Sequence, residues 1–215
     1  MKLTEVLLIS LLCSSGMVLL GDYARSCQKP AEDPPVSPRS IIALSHGEHG
    51  YSSGFVVSDQ PQADGTHLVR ALTCAHSIKE FPCLIVSDGE PVAEGYQVLR
   101  REQNQATDYA LISFQSTREL IPLALADQAP PPETGVLGLG HPMMGPLLLW
   151  RLTLTWCDDE RVTGFLMRGS SGGPVLYRGR VVGMMRGIGR SPLDGSDVVG
   201  LGFLTPLSSL REALQ

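Results

Sequence analysis

From Ser40 onward the chain is written in short apolar runs separated by turn residues, and few folds accommodate that texture. "SIIALS" (40–45), "GFVVS" (54–58), "HLVRALT" (67–73), "CLIVS" (83–87) and "YALISF" (109–114) are β-branched or alternating, with Gly, Asp and Pro between them. A Pro-rich break, "APPPETG" (129–135), precedes a second set: "VLGLG", "LLLWRLTLTW", "GFLMRG", "PVLYRG", "RVVGMM" and "VVGLGFL". Many short strands at this spacing predict an all-β sandwich or barrel, and the Pro-rich division predicts two small barrels, one over 41–128 and one over 136–215. Only "TPLSSLREALQ" reads as a helix, with Leu207, Leu210 and Leu214 on one face and Thr205 as its cap.

The N-terminus is different in kind. One Lys is followed by a mostly apolar run from Val6 to Leu20, diluted by Cys13-Ser14-Ser15-Gly16. It is shorter than the ~20 residues of a spanning helix and fits a signal-peptide core, with Ala24 and Ser26 as small residues before a cut ahead of Cys27. Residues 1–26 are therefore expected to be a signal peptide or an uncleaved membrane anchor, and residues 27–40, rich in Pro and polar groups, a tether. Beyond that segment no membrane contact is expected.

Hydrophobic content of 43% and charged content of 18% describe a globular chain with ample core material. A net charge of −5 without a Lys/Arg cluster excludes an electrostatic footprint for nucleic acid. No CxxC or Cys/His metal spacing appears, so neither metal nor cofactor is expected. A cut before Cys27 leaves Cys27, Cys74, Cys83 and Cys157, which allow three full pairings. Cys74 and Cys83 close a short loop and are the favoured disulfide in an oxidising compartment.

The chemistry turns on "GSSGGP" (169–174). A serine hydroxyl is a poor nucleophile alone; it needs a base in reach, a group to orient that base, and N–H donors for the oxyanion. Of the five histidines, His46 and His49 lie in a polar turn, His67 opens a strand, and His141 sits in another turn. His76 alone follows directly on an apolar strand, "LVRALTCAHSI", which holds its backbone on a rigid element. Asp108 stands at the mouth of the apolar strand "DYALISF", half-buried by its neighbours. Asp59 and the remaining aspartates read as turn or surface residues.

Together these contexts resemble the chymotrypsin-like serine peptidases. "LTCAHSI" is similar to the family's Thr-Ala-Ala-His segment, with Cys74 for the first alanine. "DYALISF" is similar to its Asp-x-Ala-Leu strand, and "GSSGGP" to its Gly-Asp-Ser-Gly-Gly-Pro loop. The His, Asp, Ser order agrees as well. "GYSSGFVVS", "VLGLGHPMMG" and the strand–strand–helix ending resemble the HtrA-type bacterial members, and the likeness spans about residues 40–213. It implies two antiparallel six-stranded β-barrels with a short C-terminal helix and a polypeptide substrate. It implies Ser171 as nucleophile, His76 as general base, Asp108 as its orienter, and the N–H groups of Gly169 and Ser171 as the oxyanion hole. Gly172 and Gly173 would permit the tight turn. With Ser170 where the family has Asp, a trypsin-style zymogen switch is not expected, and neither are appended PDZ modules.

By the same likeness the S1 wall comprises Phe165 and Leu166, opposed by about Met184 to Ile188, with Met184, Met185, Arg186 and Gly187 as the candidate contacts. These apolar linings imply cleavage after small or medium apolar residues. An Arg186 facing the pocket would instead favour an acidic residue there. A catalytically silent peptide-binding module on the same fold is the alternative.

Overall fold

A computed structural model of the chain describes residues 35–104, 107–142, 145–154, 161–164, 166–190 and 197–215. The expected signal or anchor segment, most of the tether, Phe165, Cys27 and Cys157 lie outside the described residues. The structure is mostly β, as the punctuated apolar runs require. Seven strands form the first half: β1 (Ile41–Ser45), β2 (Tyr51–Pro61), β3 (His67–Thr73), β4 (Leu84–Ser87), β5 (Glu90–Glu94), β6 (Gln97–Gln103) and β7 (Asp108–Ser116). Six form the second: β8 (Gly135–Gly140), β9 (Leu148–Leu154), β10 (Arg161–Gly164), β11 (Pro174–Tyr177), β12 (Arg180–Arg190) and β13 (Asp197–Pro206). One helix, α1 (Leu207–Ala213), closes the chain.

The second half is the expected closed six-stranded barrel, in the order β10-β13-β12-β11-β8-β9. The first half differs from a closed six-stranded barrel in its hydrogen bonding. It is a seven-stranded sheet, β5-β4-β1-β2-β3-β7-β6, in which "EPVAE" forms an extra strand hairpinned onto β4. The sheet curls toward itself: Thr117, just past β7, donates its N–H to the Val92 carbonyl of β5 at 2.9 Å. Between the halves the chain is stitched to both. Leu123 N–H donates to Val56 O at 2.9 Å, and Ala126 N–H to Val181 O at 2.8 Å.

Three apolar clusters follow from the strand patterns. One fills the first sheet around Ile42, Val56, Ile85 and Ile112. Another fills the barrel around Val136, Leu152, Val175 and Leu204. The third lies between the halves and joins Phe55, Leu72, Cys74 and Tyr109 to Leu139, Leu176, Met184 and Leu210. β7 is buried on both faces over most of its length because it serves two of these cores. That explains why "YALISF" is a continuous apolar run rather than an alternating one.

The terminal helix forms as its pattern predicts, with a different inner face. Leu207, Leu210 and Ala213 are buried, whereas Leu214 is 42% exposed, because the helix ends at Ala213. Thr205 does not cap it; Pro206 holds that position, and the Thr205 hydroxyl donates instead to the Asp108 carbonyl at 2.9 Å. Asp59 is no surface residue either. Its buried carboxylate meets His67 Nδ1 at 2.7 Å and accepts the Leu120 N–H, pinning the chain as it leaves β7. The expected Cys74–Cys83 disulfide is absent: both are free, buried thiols. Cys74 points into the core between the halves and Cys83 packs against the first sheet, so short sequence separation did not translate into facing sulfurs.

Candidate active site

The register of two strands brings His76 and Asp108 together. β3 runs antiparallel to β7 with Thr73 opposite Ala110, so the chain leaving β3 passes beside the start of β7. A single 3-10 turn, Ala75–Ser77, then carries the His76 ring over Asp108. His76 Nδ1 lies 2.5 Å from Asp108 Oδ2, and the His76 backbone N–H donates to Oδ1 at 3.0 Å. The imidazole is 41% exposed and the carboxylate side chain only 7%. Burial would raise the Asp108 carboxyl, but hydrogen bonds from the His76 ring and from the N–H groups of His76 and Ala75, with the charge of His76, outweigh it. The group is held below its ordinary value near 3.8. An ionised, buried carboxylate on Nδ1 fixes the tautomer that leaves Nε2 as the proton acceptor.

Ser171 comes from the loop between β10 and β11. Gly169 and Gly172 adopt positive φ there (91° and 87°). A Cβ at Gly172 would stand 2.0 Å from the Ser53 carbonyl, and one at Gly173 would stand 2.1 Å from the Leu139 carbonyl. Only glycine fits either place. Ser53 of β2 clamps this loop from the other half. Its N–H donates to Ser171 O at 2.8 Å and its hydroxyl donates to Gly169 O at 2.8 Å. The same hydroxyl accepts the His141 N–H at 2.8 Å, and the Ser53 carbonyl accepts the buried Thr73 hydroxyl. On the second-half side, Gly172 N–H donates to Met185 O and Met185 N–H to Gly173 O.

The N–H groups of Gly169 and Ser171 donate to no group among the described residues, as an anion-binding pair requires. The Ser171 hydroxyl donates at 3.4 Å to the Arg186 carbonyl. That carbonyl is presented by a bulge in β12: Met185 pairs with Leu204 and Gly187 with Phe203, so Arg186 is the extra residue at the register shift. The bulge also sets the Arg186 guanidinium 5.7 Å from the centre of the Phe203 ring.

His76 and Ser171 share one cleft of about 450 Å³. Of the predicted specificity residues, Leu166, Met185, Arg186 and Gly187 line it, while Met184 does not. Met184 is fully buried between the halves, because alternate residues of β12 face opposite sides and the bulge begins only after Met185. Residues not singled out from the sequence complete the cleft. His46, His49, Gly50, Tyr51, Ser77 and Lys79 come from the first half, and Met167 and Arg168 from the second; Ile188, the far end of the predicted S1 wall, lines it too. "SHGEHG", directly before the strand that clamps the serine loop, was the only signal for His46, His49 and Gly50.

Cys74 is an added neighbour of the pair. Its Sγ, a His76 ring nitrogen and an Asp108 oxygen lie within 4.8 Å of one another, a thiol–imidazole–carboxylate set of metal-ligand type. As arranged, those groups are engaged. The ring and carboxylate bond each other, and the thiol donates to Met185 O at 3.1 Å. Burial pushes the Cys74 thiol well above its ordinary value, with the Asp108 charge adding to it. Cys74 therefore ties the histidine turn to the carbonyl that also holds Gly172.

A trypsin-like peptidase domain model matches residues 52–184, which is more than half of the chain, so the chain belongs to that family and is a serine peptidase by family. The solved structures it resembles include the Rv3671c protease of M. tuberculosis. The inactive form of that protease aligns at TM-score 0.62 and 18% identity, covering 86% of this chain and 96% of that one. Its active form aligns at TM-score 0.60 and 19% identity over 87% and 90%. The serine endoprotease of Yersinia pestis aligns at TM-score 0.64 and 16% identity over 85% of this chain and 66% of that one. At these identities the structures speak for the fold. No curated protein matches the sequence.

Proposed function

We propose that this chain is an exported serine endopeptidase in which Ser171 attacks the scissile carbonyl. His76 takes the hydroxyl proton and returns it to the leaving amine. Asp108 holds the ring and stabilises the imidazolium, and the N–H groups of Gly169 and Ser171 receive the oxyanion. The observation that carries this reading is the 2.5 Å His76–Asp108 contact in the same cleft as a serine presented by a glycine-only turn. Asp108, held ionised, is suited to orienting rather than to proton transfer.

P1 is an apolar residue of small or medium size. Leu166, Met185 and Ile188 supply the apolar wall, and Leu166 packs over Gly202, taking the space that a Cβ there would need. Export rests on the signal-like residues 1–26; among the described residues no helix is long and apolar enough to cross a membrane.

One observation favours a second reading, a silent peptide-binding module: the Ser171 hydroxyl is bonded to Arg186 O and not to His76. Fluorophosphonate labelling of the full-length protein, mapped by peptide mass spectrometry, separates the two. The peptidase reading expects label on Ser171 that disappears in His76→Ala. No label on folded protein would replace it with the binding module.

A further inference from the structure

The whole chain carries a net charge of −5, yet its cleft is lined by Lys79, Arg168, Arg186 and three histidines, with no Asp or Glu among the lining residues described. Arg168 and Arg186 already have partners within the protein, and both stand on the Ser171 side. The first-half side is distinct. There the loop after β1 folds back on itself, with His46 N–H donating to Gly50 O and His49 N–H to His46 O. This sets His49 flat against Phe81, ring centres 3.6 Å apart. His46 is only 4% exposed; its Nδ1 lies 3.3 Å from the Phe81 carbonyl, and its Nε2 has no hydrogen-bond partner among the described residues. Lys79, three residues after His76, is exposed at the same wall and makes no ion pair among the described residues. The nearest carboxylates in sequence, Glu48 and Glu80, do not line the cleft.

In the peptidase reading His76 returns the proton to the leaving amine, and His76 belongs to the first half, so the leaving-group side of a substrate held at Ser171 faces this first-half wall. That placement rests on the peptidase reading. We propose that the wall formed by His46, His49 and Lys79 is a subsite for a carboxylate on the leaving-group side of the substrate. The carboxylate is either an acidic side chain or the substrate's own C-terminus. The exposed Lys79 ammonium, on a wall free of acidic lining groups, favours an anion there and disfavours a basic residue by like-charge repulsion.

The test uses the full-length protein and peptides identical except two residues beyond the scissile bond. There they carry Glu, Gln or Lys with an amidated C-terminus, or end in a free carboxylate. Turnover by the wild type and binding to Ser171→Ala are both read. The expected result is a roughly five- to tenfold preference for Glu over Gln, with Lys worst, shrinking at high salt and lost in Lys79→Gln. If the peptide with the free C-terminus outruns the Glu peptide, the source of the carboxylate is the substrate terminus. Equal handling of Glu and Gln, or a preference unchanged in Lys79→Gln, overturns the subsite. If Ser171 is labelled by fluorophosphonate, that result leaves the peptidase reading standing. Conversely, absent turnover with Glu-selective, Lys79-dependent binding to Ser171→Ala upholds the subsite and removes the peptidase reading.

Discussion

Asp108 and His141 are buried titratable groups, the first central to the proposed mechanism and both coupled to acid sensitivity. Replacing Asp108 with Asn keeps the shape but offers Nδ1 an amide in place of an anion, which frees the wrong tautomer. We expect kcat/KM to fall by about four orders of magnitude while the thermal midpoint moves by only a few degrees. A variant with near-normal turnover would remove Asp108 from the mechanism. Asp108 is depressed in the folded state, so its stabilisation is present above its ordinary value near 3.8 and is lost as pH falls through the lower folded value. His141 acts in a higher window. Burial depresses its ring below the ordinary 6.5, against a weaker opposing bond to Gly145 O. The unfolded chain therefore binds that proton first, and stability drains as pH falls below about 6.5. Thermal melts from pH 7.5 to 5 should drop less steeply in His141→Gln than in wild type; identical slopes would show that the ring does not govern this window.

At the scale of elements, the serine loop is held by β2 rather than by its own barrel alone. Ser53→Ala removes a donor to Gly169 O and the acceptor for the buried His141 N–H, at a cost of about 1–3 kcal/mol. Because that loop also presents the Gly169 and Ser171 N–H groups, the fluorophosphonate labelling rate should fall at least tenfold while far-UV circular dichroism is unchanged. A normal labelling rate would mean that the glycine geometry suffices without the clamp. The terminal helix has a separate role. Leu210 is fully buried in the core between the halves, and Leu210→Ala should cost about 2–5 kcal/mol, read as a lowered urea midpoint. A loss below 1 kcal/mol would show that the helix is docked loosely.

For the molecule as a whole, residues 34–215 cluster as one compact unit, with a shared core and hydrogen bonds crossing at Ser53, Thr205 and the 120–126 connection. The proposed nucleophile stands on one half and the proposed base on the other, so the site exists only while the halves are docked. Urea unfolding followed by circular dichroism and by loss of Ser171 labelling should therefore trace the same transition. Labelling lost well before the strands melt would show that the halves part first.

Strand content, the division into two β halves, the terminal helix and the three residues of the candidate site were all readable in the sequence. Each depends on local pattern: apolar periodicity, glycines that positive φ demands, and a His or Asp set at the end of an apolar run. Tertiary structure decided the rest. Whether the first half closed as six strands or spread as seven depended on how "EPVAE" paired. Cys74 and Cys83 stayed apart because each was drawn into a different core. Met184 and Met185 are neighbours in sequence, and strand alternation sent one into the core between the halves and the other into the barrel core at the cleft. The cationic first-half wall was hidden for the same reason. His46, His49 and Lys79 are unremarkable polar residues in sequence, and only the packing of two loops makes them one surface.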